Sequence, residues 1–202
     1  MNILTHQFTR GSSIRQALEQ RIGPSLLRAL LVVTLLLMTA SGADAQSKLT
    51  YAQNIFLLKT LKPSLKNIGV IASTLSDQEV KAIGKAALGQ GIKVTIAKVT
   101  DVSEISGLYK MLINEHNAEL VWIPDRSDEI LLGVGFEFLR ENTILDRVGL
   151  IVPTKDLVAK GALCSLETAN EKVVVYVNKR IAQVDGINPP TSQDPSVQYV
   201  LQ

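Results

Sequence analysis

The stretch Asn-Ile-Gly-Val-Ile-Ala at residues 67–72 decides the fold, together with the Ser-Asp-Gln-Glu that follows at residues 76–79. The first stretch is apolar throughout, which is typical of a strand covered on both faces of a parallel sheet. The second has the spacing of a capping box, in which Ser76 and Glu79 satisfy the first backbone groups of a helix. The sequence therefore predicts a strand that leads directly into a helix, the first half of a βαβ unit.

The same alternation of strand and helix continues through most of the chain. The residues between the strands carry apolar side chains at spacings of three and four, which is typical of helices packed on a sheet. One of these helices is predicted to be capped by Asp125 or Ser127, and it contains Gly133 and Gly135, which are expected to allow close packing. The further strands are predicted at residues 93–99, 120–123, 147–152 and 162–165.

Additional elements are predicted at both ends of this alternation. A short helix at residues 54–61 ends before Pro63, since proline disfavours helix in the residue before it. Near the other end, Thr168 has the spacing of a cap for a last helix, and residues 199–201 are suited to a final edge strand. The apolar face of that last helix is expected to consist of Val174, Val177 and Ile181.

Five strands that alternate with five helices predict an α/β fold. Parallel strands joined by right-handed crossovers give a doubly wound, parallel five-stranded sheet with helices on both faces. The result is a three-layer α/β/α sandwich of flavodoxin-like size. The expected strand order is 2-1-3-4-5, which is common for doubly wound sheets of this size.

The first 45 residues differ from the rest of the chain. Four arginines lie within residues 1–28 against a single acid, Glu19, and an uncharged apolar run follows at residues 29–38. Ala43-Asp44-Ala45 then offers small residues at the spacing of a cleavage site. These are the three parts of a secretory signal peptide, so we expect cleavage after Ala45 and a periplasmic or secreted product. An uncleaved membrane anchor is the alternative, although the run is shorter than the roughly 20 apolar residues of a spanning helix.

The charge of the chain depends on this N-terminal segment. The chain has 21 Lys and Arg and 19 Asp and Glu, of which four and two lie in residues 1–45, so the remainder is formally neutral. A neutral domain lacks the clustered positive charge of a nucleic-acid interface. The predicted organisation is a signal peptide at 1–45, an N-terminal helix and lead-in at 46–66, an α/β lobe at 67–190, and a C-terminal tail at 191–202.

The sequence offers few residues for catalysis. Cys164 is the single cysteine, which excludes an intrachain disulfide, and its apolar neighbours predict a buried, inert thiol. His116 is the single histidine outside residues 1–45, and it follows a predicted helix. Trp122 is expected in the core. With no phosphate-binding loop, and with no second histidine or cysteine outside residues 1–45, the sequence predicts a protein that is not an enzyme and has no cofactor or metal.

Polar side chains follow the predicted strands at their carboxyl ends, where ligands bind in open α/β sheets. Hydroxyl groups and helix N-termini there are suited to a carboxylate or a phosphate. Capping alone accounts for Ser76, Ser127 and Thr154, so both interpretations stay open. The candidate ligand-binding residues are Ser73, Thr74, Asp125, Arg126, Thr154 and Glu167.

Several segments, in this order, resemble a known family. The segment at 57–71 is similar to the run that opens the second lobe of ABC-transporter substrate-binding proteins with the type I periplasmic-binding fold. The later segments at 86–92, 119–125, 160–166 and 177–181 also resemble this family. The resemblance covers about residues 54–190.

The resemblance implies a non-catalytic binding protein for a small, amino-acid-like molecule, with an ABC permease as partner. It implies ligand contacts from Ser73, Thr74 and Asp125. It also implies that the first lobe is absent, because the predicted signal peptide stands where that lobe would be, and that a homodimer would be needed to rebuild a cleft. The segment at residues 167–171 is shorter than its counterpart in the family. The alternative is a ligand-free module for protein–protein interaction in the cell envelope.

Overall fold

The computed structural model describes residues 49–170, 172–187, 189 and 196–202. The predicted signal peptide at residues 1–45 lies outside the described residues, so its cleavage remains a prediction. Within the described ranges, none of the helices has both the length and the apolar character needed to cross a membrane.

Seven helices, one 3-10 turn and seven strands make up the described part of the chain. Helices and strands alternate along most of this part of the chain, as the capping boxes and apolar runs predict. In chain order they are α1 Tyr51–Leu61, β1 Asn67–Ala72, α2 Asp77–Gly89, β2 Lys93–Lys98, the 3-10 turn Val102–Glu104, α3 Ile105–Asn114, β3 Leu120–Trp122, α4 Glu129–Leu132, α5 Val134–Asp146, β4 Gly149–Val152, α6 Lys155–Ala159, β5 Cys164–Ala169, β6 Lys172–Val177, α7 Lys179–Val184 and β7 Val197–Leu201.

The described strands form one mixed sheet in the order β2-β1-β3-β4-β5-β6-β7. The first five strands are parallel and follow the predicted order 2-1-3-4-5. The predicted α/β class is therefore confirmed, and the final edge strand predicted at residues 199–201 is present as β7, but β6 is a strand that the sequence did not predict. β6 runs antiparallel to β5, and β7 runs parallel to β6.

The region after β4 contains the main correction to the predicted fold. Residues 172–177 form strand β6 and not the first half of a helix capped by Thr168. Three of these six residues are consecutive valines, which favour a strand because they are branched at Cβ. A turn at Asn170, with φ of 50°, connects β6 to β5. The helix α7 begins later, where the Asn178 side chain accepts a hydrogen bond from the Ile181 N–H at 3.2 Å.

The alternation of side chains along the central strands divides the core into two clusters. In β3, Leu120 and Trp122 pack with α1, α2 and α7, whereas Val121 packs on the other face with α3 to α6. Neighbouring residues of a strand point to opposite faces, so a strand that is apolar throughout supports both clusters. The predicted three-layer sandwich is present.

The segment between β3 and β4 is divided into α4 and α5, although the sequence predicts a single helix. The division lies at Gly133, the residue between the two helices. A Cβ atom at Gly135 would lie 2.6 Å from the Ile130 carbonyl oxygen and 2.8 Å from Cδ1 of Ile105. The predicted role of Gly135 in close packing is therefore confirmed.

Candidate functional site

A cavity of about 280 Å³ lies at the carboxyl ends of β3 and β4, beside β5. Parallel strands bring their carboxyl ends to one edge of a sheet, which is where open α/β folds bind ligands. The cavity is largely apolar, with a few charged and polar groups directed toward it. Its lining consists of Leu49, Asn54, Trp122, Pro124, Asp125, Arg126, Ile151, Val152, Pro153, Leu166, Glu167 and Thr168.

Two prolines shape this edge of the sheet. Pro124 follows β3 and Pro153 follows β4. The last ladder bond between these strands runs from the Ile123 N–H to the Ile151 carbonyl oxygen, at 2.9 Å. Proline has no N–H to continue a ladder, so pairing stops here and the two loops separate around the cavity.

Asp125 connects the loops that follow β1 and β3. Its Oδ2 accepts a hydrogen bond from the Thr74 hydroxyl at 2.6 Å. Its Oδ1 accepts two bonds of 2.9 Å from Ser127, one from the backbone N–H and one from the hydroxyl. The structure therefore brings the predicted site residues Thr74 and Asp125 into direct contact, and Asp125 also lines the cavity.

Asp128 is a second connection between the same loops, and sequence reasoning did not identify it. Its side chain is fully buried. One oxygen accepts the Ser73 N–H at 2.7 Å, and the other accepts the Leu131 N–H at 3.1 Å. Asp128 is thus the N-cap of α4, which corrects the predicted cap at Asp125 or Ser127. Ser73 contributes its backbone to this contact and does not line the cavity.

Glu167 is held from three sides. Its Oε1 accepts the Lys155 N–H at 2.5 Å and the Ser165 hydroxyl at 3.2 Å. Its Oε2 lies 3.4 Å from Nη2 of Arg126, and only 13% of the Glu167 side chain is exposed. The sequence predicts Glu167 in a loop, whereas the longer β5 places it within a strand. The structure thereby joins the predicted residues Arg126 and Glu167 at the cavity.

The N-terminal end of α1 closes one side of the cavity through Leu49 and Asn54. The Tyr51 hydroxyl donates a bond of 2.7 Å to Oε1 of Glu79, and its ring meets that of Trp122 edge to face at a centroid distance of 6.1 Å. Burial, and then the bond to Glu79, raises the pKa of Tyr51. The sequence prediction missed this wall. The capping box from Thr50 to Gln53 was the available signal for a helix that starts this early.

Thr154 and Cys164 lie outside the cavity lining. Thr154 occupies the N-cap position of α6, where its side chain makes no capping bond. The predicted burial of Cys164 is confirmed, and burial raises the pKa of its thiol to about 12. Trp122 is buried as predicted, and it also forms part of the cavity wall. Among the described residues, no group of three or more His, Cys, Asp or Glu has the arrangement of a metal site.

A doubly wound sheet with a cavity at its carboxyl edge defines a class of α/β ligand-binding domains. Within this class, the chain belongs to the family described as ABC transporter substrate binding protein, whose family model matches residues 41–201. The resemblance identified in the sequence is therefore confirmed. None of the curated proteins compared with the chain matches it.

Solved structures of low sequence identity share the fold. One is an ABC domain from Streptococcus pneumoniae in complex with L-Trp, with a TM-score of 0.61, 21% identity, and coverage of 75% of this chain and 62% of that chain. Another is a conserved domain protein from Vibrio cholerae, with a TM-score of 0.61, 16% identity, and coverage of 77% and 62%. A third is a ligand-free, open substrate-binding protein with adhesive properties from Clostridium difficile, with a TM-score of 0.58, 19% identity, and coverage of 76% and 60%. The present chain thus spans about three-fifths of each of these structures.

Proposed function

We propose that this protein is a non-catalytic binding protein for a small, amino-acid-like molecule, which it takes up in the cavity at the carboxyl edge of the sheet. The observation that carries the proposal is the cavity itself, in a member of the substrate-binding family. Apolar walls with a few convergent polar groups are typical of small-molecule sites. The volume of about 280 Å³ is just below the roughly 300–1,000 Å³ of such sites, which favours a small ligand.

The similar structure from Streptococcus pneumoniae holds L-Trp, which supports a ligand of amino-acid size for this fold. The polar residues proposed to contact the ligand are Asp125, Arg126 and Glu167, which line the cavity. Thr74 is proposed to orient Asp125 through their hydrogen bond. Ser73 and Thr154 are also predicted to contact the ligand. Their contacts in the structure support a role in shaping the loops.

The wider role is part of the same proposal. The signal-like residues 1–45 support export to the periplasm or the exterior, with cleavage after Ala45. Family membership supports delivery of the ligand to an ABC permease. A second copy that covers the open side of the cavity would complete a two-sided cleft.

Isothermal titration and thermal shift with a panel of L-amino acids and their derivatives test the binding proposal. A ligand at 100 times its Kd stabilises the folded state by about 2.7 kcal/mol. For a chain of this size, we expect the melting temperature to rise by roughly 5–10 °C. A well-folded sample that shows no shift and no heat with any member of the panel contradicts the proposal.

A cavity-filling variant supplies the specific control. Leu166→Trp places an indole in the cavity, because Leu166 belongs to its lining. Leu88→Trp makes the same change at a position that is 79% exposed and outside the lining. We expect Leu166→Trp to abolish binding and Leu88→Trp to retain it, with both variants folded by circular dichroism. Equal binding by the two variants would place the ligand elsewhere.

A further inference from the structure

Strand β7 forms one edge of the sheet, since β6 is its single neighbour in the order of the described strands. It covers Val197–Leu201, contains no charged residue, and all of its residues are partly or fully exposed. An edge strand presents a row of unpaired backbone N–H and C=O groups, which proteins usually protect with charged side chains or proline. The five residues of β7 include neither, so this edge is open to another strand.

The opposite edge of the sheet, strand β2, carries such protection. Its first and last residues are Lys93 and Lys98, and both are exposed. The Lys98 ammonium group also lies 3.2 Å from a carboxylate oxygen of Asp77. Lysine on an edge strand opposes pairing with another chain, because pairing would remove its charge from water. The two edges therefore differ, and β7 is the one suited to accept a further strand.

The hydrogen bonds of β7 define which of its backbone groups point away from the sheet. The Gln202 N–H, directly after β7, donates to the Val177 carbonyl oxygen of β6 at 2.9 Å. Backbone groups of successive strand residues point to opposite sides, so the even-numbered residues are the ones that bond to β6. The N–H and C=O groups of Val197, Tyr199 and Leu201 point outward, where no described residue pairs with them.

These outward groups are complementary to those of an identical strand. When two copies of β7 run antiparallel about a two-fold axis at Tyr199, Val197 of each copy lies opposite Leu201 of the other. Each of the three facing pairs then exchanges two hydrogen bonds, so every outward N–H of both strands meets an outward C=O. A contact that uses the same patch on both copies closes into a dimer and adds no further copies.

The side chains of the same residues add an apolar contact. Val197 and Tyr199 pack partly against the core cluster beside α1, α2 and α7, and Leu201 lies on the same face by alternation. Leu201 is 56% exposed in the single chain. In the pair it would contact Val197 of the second copy, and no like charges of β7 would face each other.

We propose that two copies of this protein pair through β7, antiparallel and centred on Tyr199, so that their sheets join into one. This inference goes beyond the proposed function. In such a pair the parallel strands of the two copies run in opposite directions, which places the two cavities at opposite edges of the joined sheet. Each copy keeps its own ligand site, and the contact through β7 is separate from any contact that covers the cavity.

Sedimentation equilibrium of the protein tests the pairing. Because five residues from each copy form a small interface, we expect a weak dimer that dissociates on dilution, with a Kd of roughly 1–100 µM. Leu201→Pro removes an outward N–H and the exposed leucine but leaves the bonds to β6 in place, so it should weaken the dimer at least tenfold. A wild-type protein that is still monomeric at about 500 µM, well above this Kd, overturns the proposal.

Lys98→Pro is the matched control at the other edge. The Val99 N–H donates to the Ala72 carbonyl oxygen of β1 at 3.0 Å, so the N–H of the preceding residue, Lys98, points outward from β2. This variant should dimerise like the wild type, with both variants folded by circular dichroism. A dimer that Leu201→Pro and Lys98→Pro retain equally overturns the assignment to β7.

Charge-swapped variants test the register. Gln198 and Val200 lie on the other face of β7, and the proposed register places Gln198 of each copy opposite Val200 of the other. The double variants Gln198→Lys/Val200→Lys and Gln198→Glu/Val200→Glu should each be monomeric, since like charges face each other. An equimolar mixture should pair at least tenfold more tightly than either variant alone. A mixture of folded variants that does not pair overturns the proposal, and this test also decides it if Leu201→Pro does not fold.

Discussion

The strands β1, β3 and β4 differ from β5, β6 and β7 in how much of their surface is covered, and the edge strand β2, with one buried residue of six, stands outside this comparison. In β1, β3 and β4, all residues except Asn67 are buried. In β5, β6 and β7, half or more of the residues are partly or fully exposed. The first group is parallel and lies under helices on both faces, whereas β6 is antiparallel to β5. One sheet thus combines a packed half, formed by β1, β3 and β4, with a less covered half, formed by β5, β6 and β7, and the cavity lies where they meet.

The largest expected effect concerns the packed half. Leu120 is fully buried in β3, so Leu120→Ala should lower the free energy of unfolding by about 2–5 kcal/mol. Leu201, in β7, is 56% exposed, and Leu201→Ala should change it by about 0.5 kcal/mol or less. Urea denaturation followed by circular dichroism measures both values. Similar losses in the two variants would mean that the halves do not differ in packing as their burial indicates.

A smaller effect is expected at the loops that join the packed half to the cavity. Asp128→Ala would leave the N–H groups of Ser73 and Leu131 without their buried acceptor. We expect a loss of about 2–3 kcal/mol in unfolding free energy. The exposed Asp156, in α6, provides a control, and Asp156→Ala should have an effect below about 0.5 kcal/mol. A neutral result at Asp128 would show that water replaces the carboxylate in both bonds.

The smallest effect is expected in the less covered half, at Asp185. Its Oδ2 atom is buried and has no hydrogen-bond partner among the described residues. Burial raises the pKa of this carboxyl, and the positive charge of Lys62 partly offsets the rise. The folded state therefore disfavours the charged form, and stability is lost as the pH rises from about 3.8 through the folded-state pKa.

The variant Asp185→Asn removes this cost at neutral pH. It should raise the free energy of unfolding at pH 7 by up to about 1 kcal/mol. The gain should shrink toward pH 3, where the wild-type carboxyl is protonated in both the folded and the unfolded states. Thermal melts of the two proteins between pH 3 and pH 8 measure the difference. A gain that does not vary with pH would have a cause other than this ionisation.

The same difference in coverage explains how far the sequence predicted the fold. Strand β1 was predicted with its observed bounds, because a strand buried on both faces is continuously apolar. The capping box at Ser76 gave the start of α2 correctly. In the less covered half, Val174, Val177 and Ile181 have a spacing that also fits a helix face. The three consecutive valines of β6 were a local signal for a strand, and the pairing of β6 with β5 and β7 shows that the segment is a strand and not a helix.

The candidate site was predicted to a similar extent. The rule that ligands bind at the carboxyl ends of strands selected Asp125, Arg126 and Glu167, which all line the cavity. It did not select Leu49 or Asn54, because their position depends on the packing of α1 against α2 and β3. The local sequence therefore identified the part of the cavity that lies at the carboxyl edge of the sheet. The side formed by Leu49 and Asn54 depends on tertiary contacts.

Cys164 lies where the two halves join. It pairs with Ile151 of β4 on one side and with Val177 of β6 on the other. It is the single thiol of the chain and is fully buried, so an alkylating reagent can reach it only when β5 separates from its neighbours. The rate of alkylation under native conditions then measures how often β5 separates from β4 and β6. The protein thus carries a natural reporter of local opening, and a ligand bound at the adjacent cavity should slow its labelling.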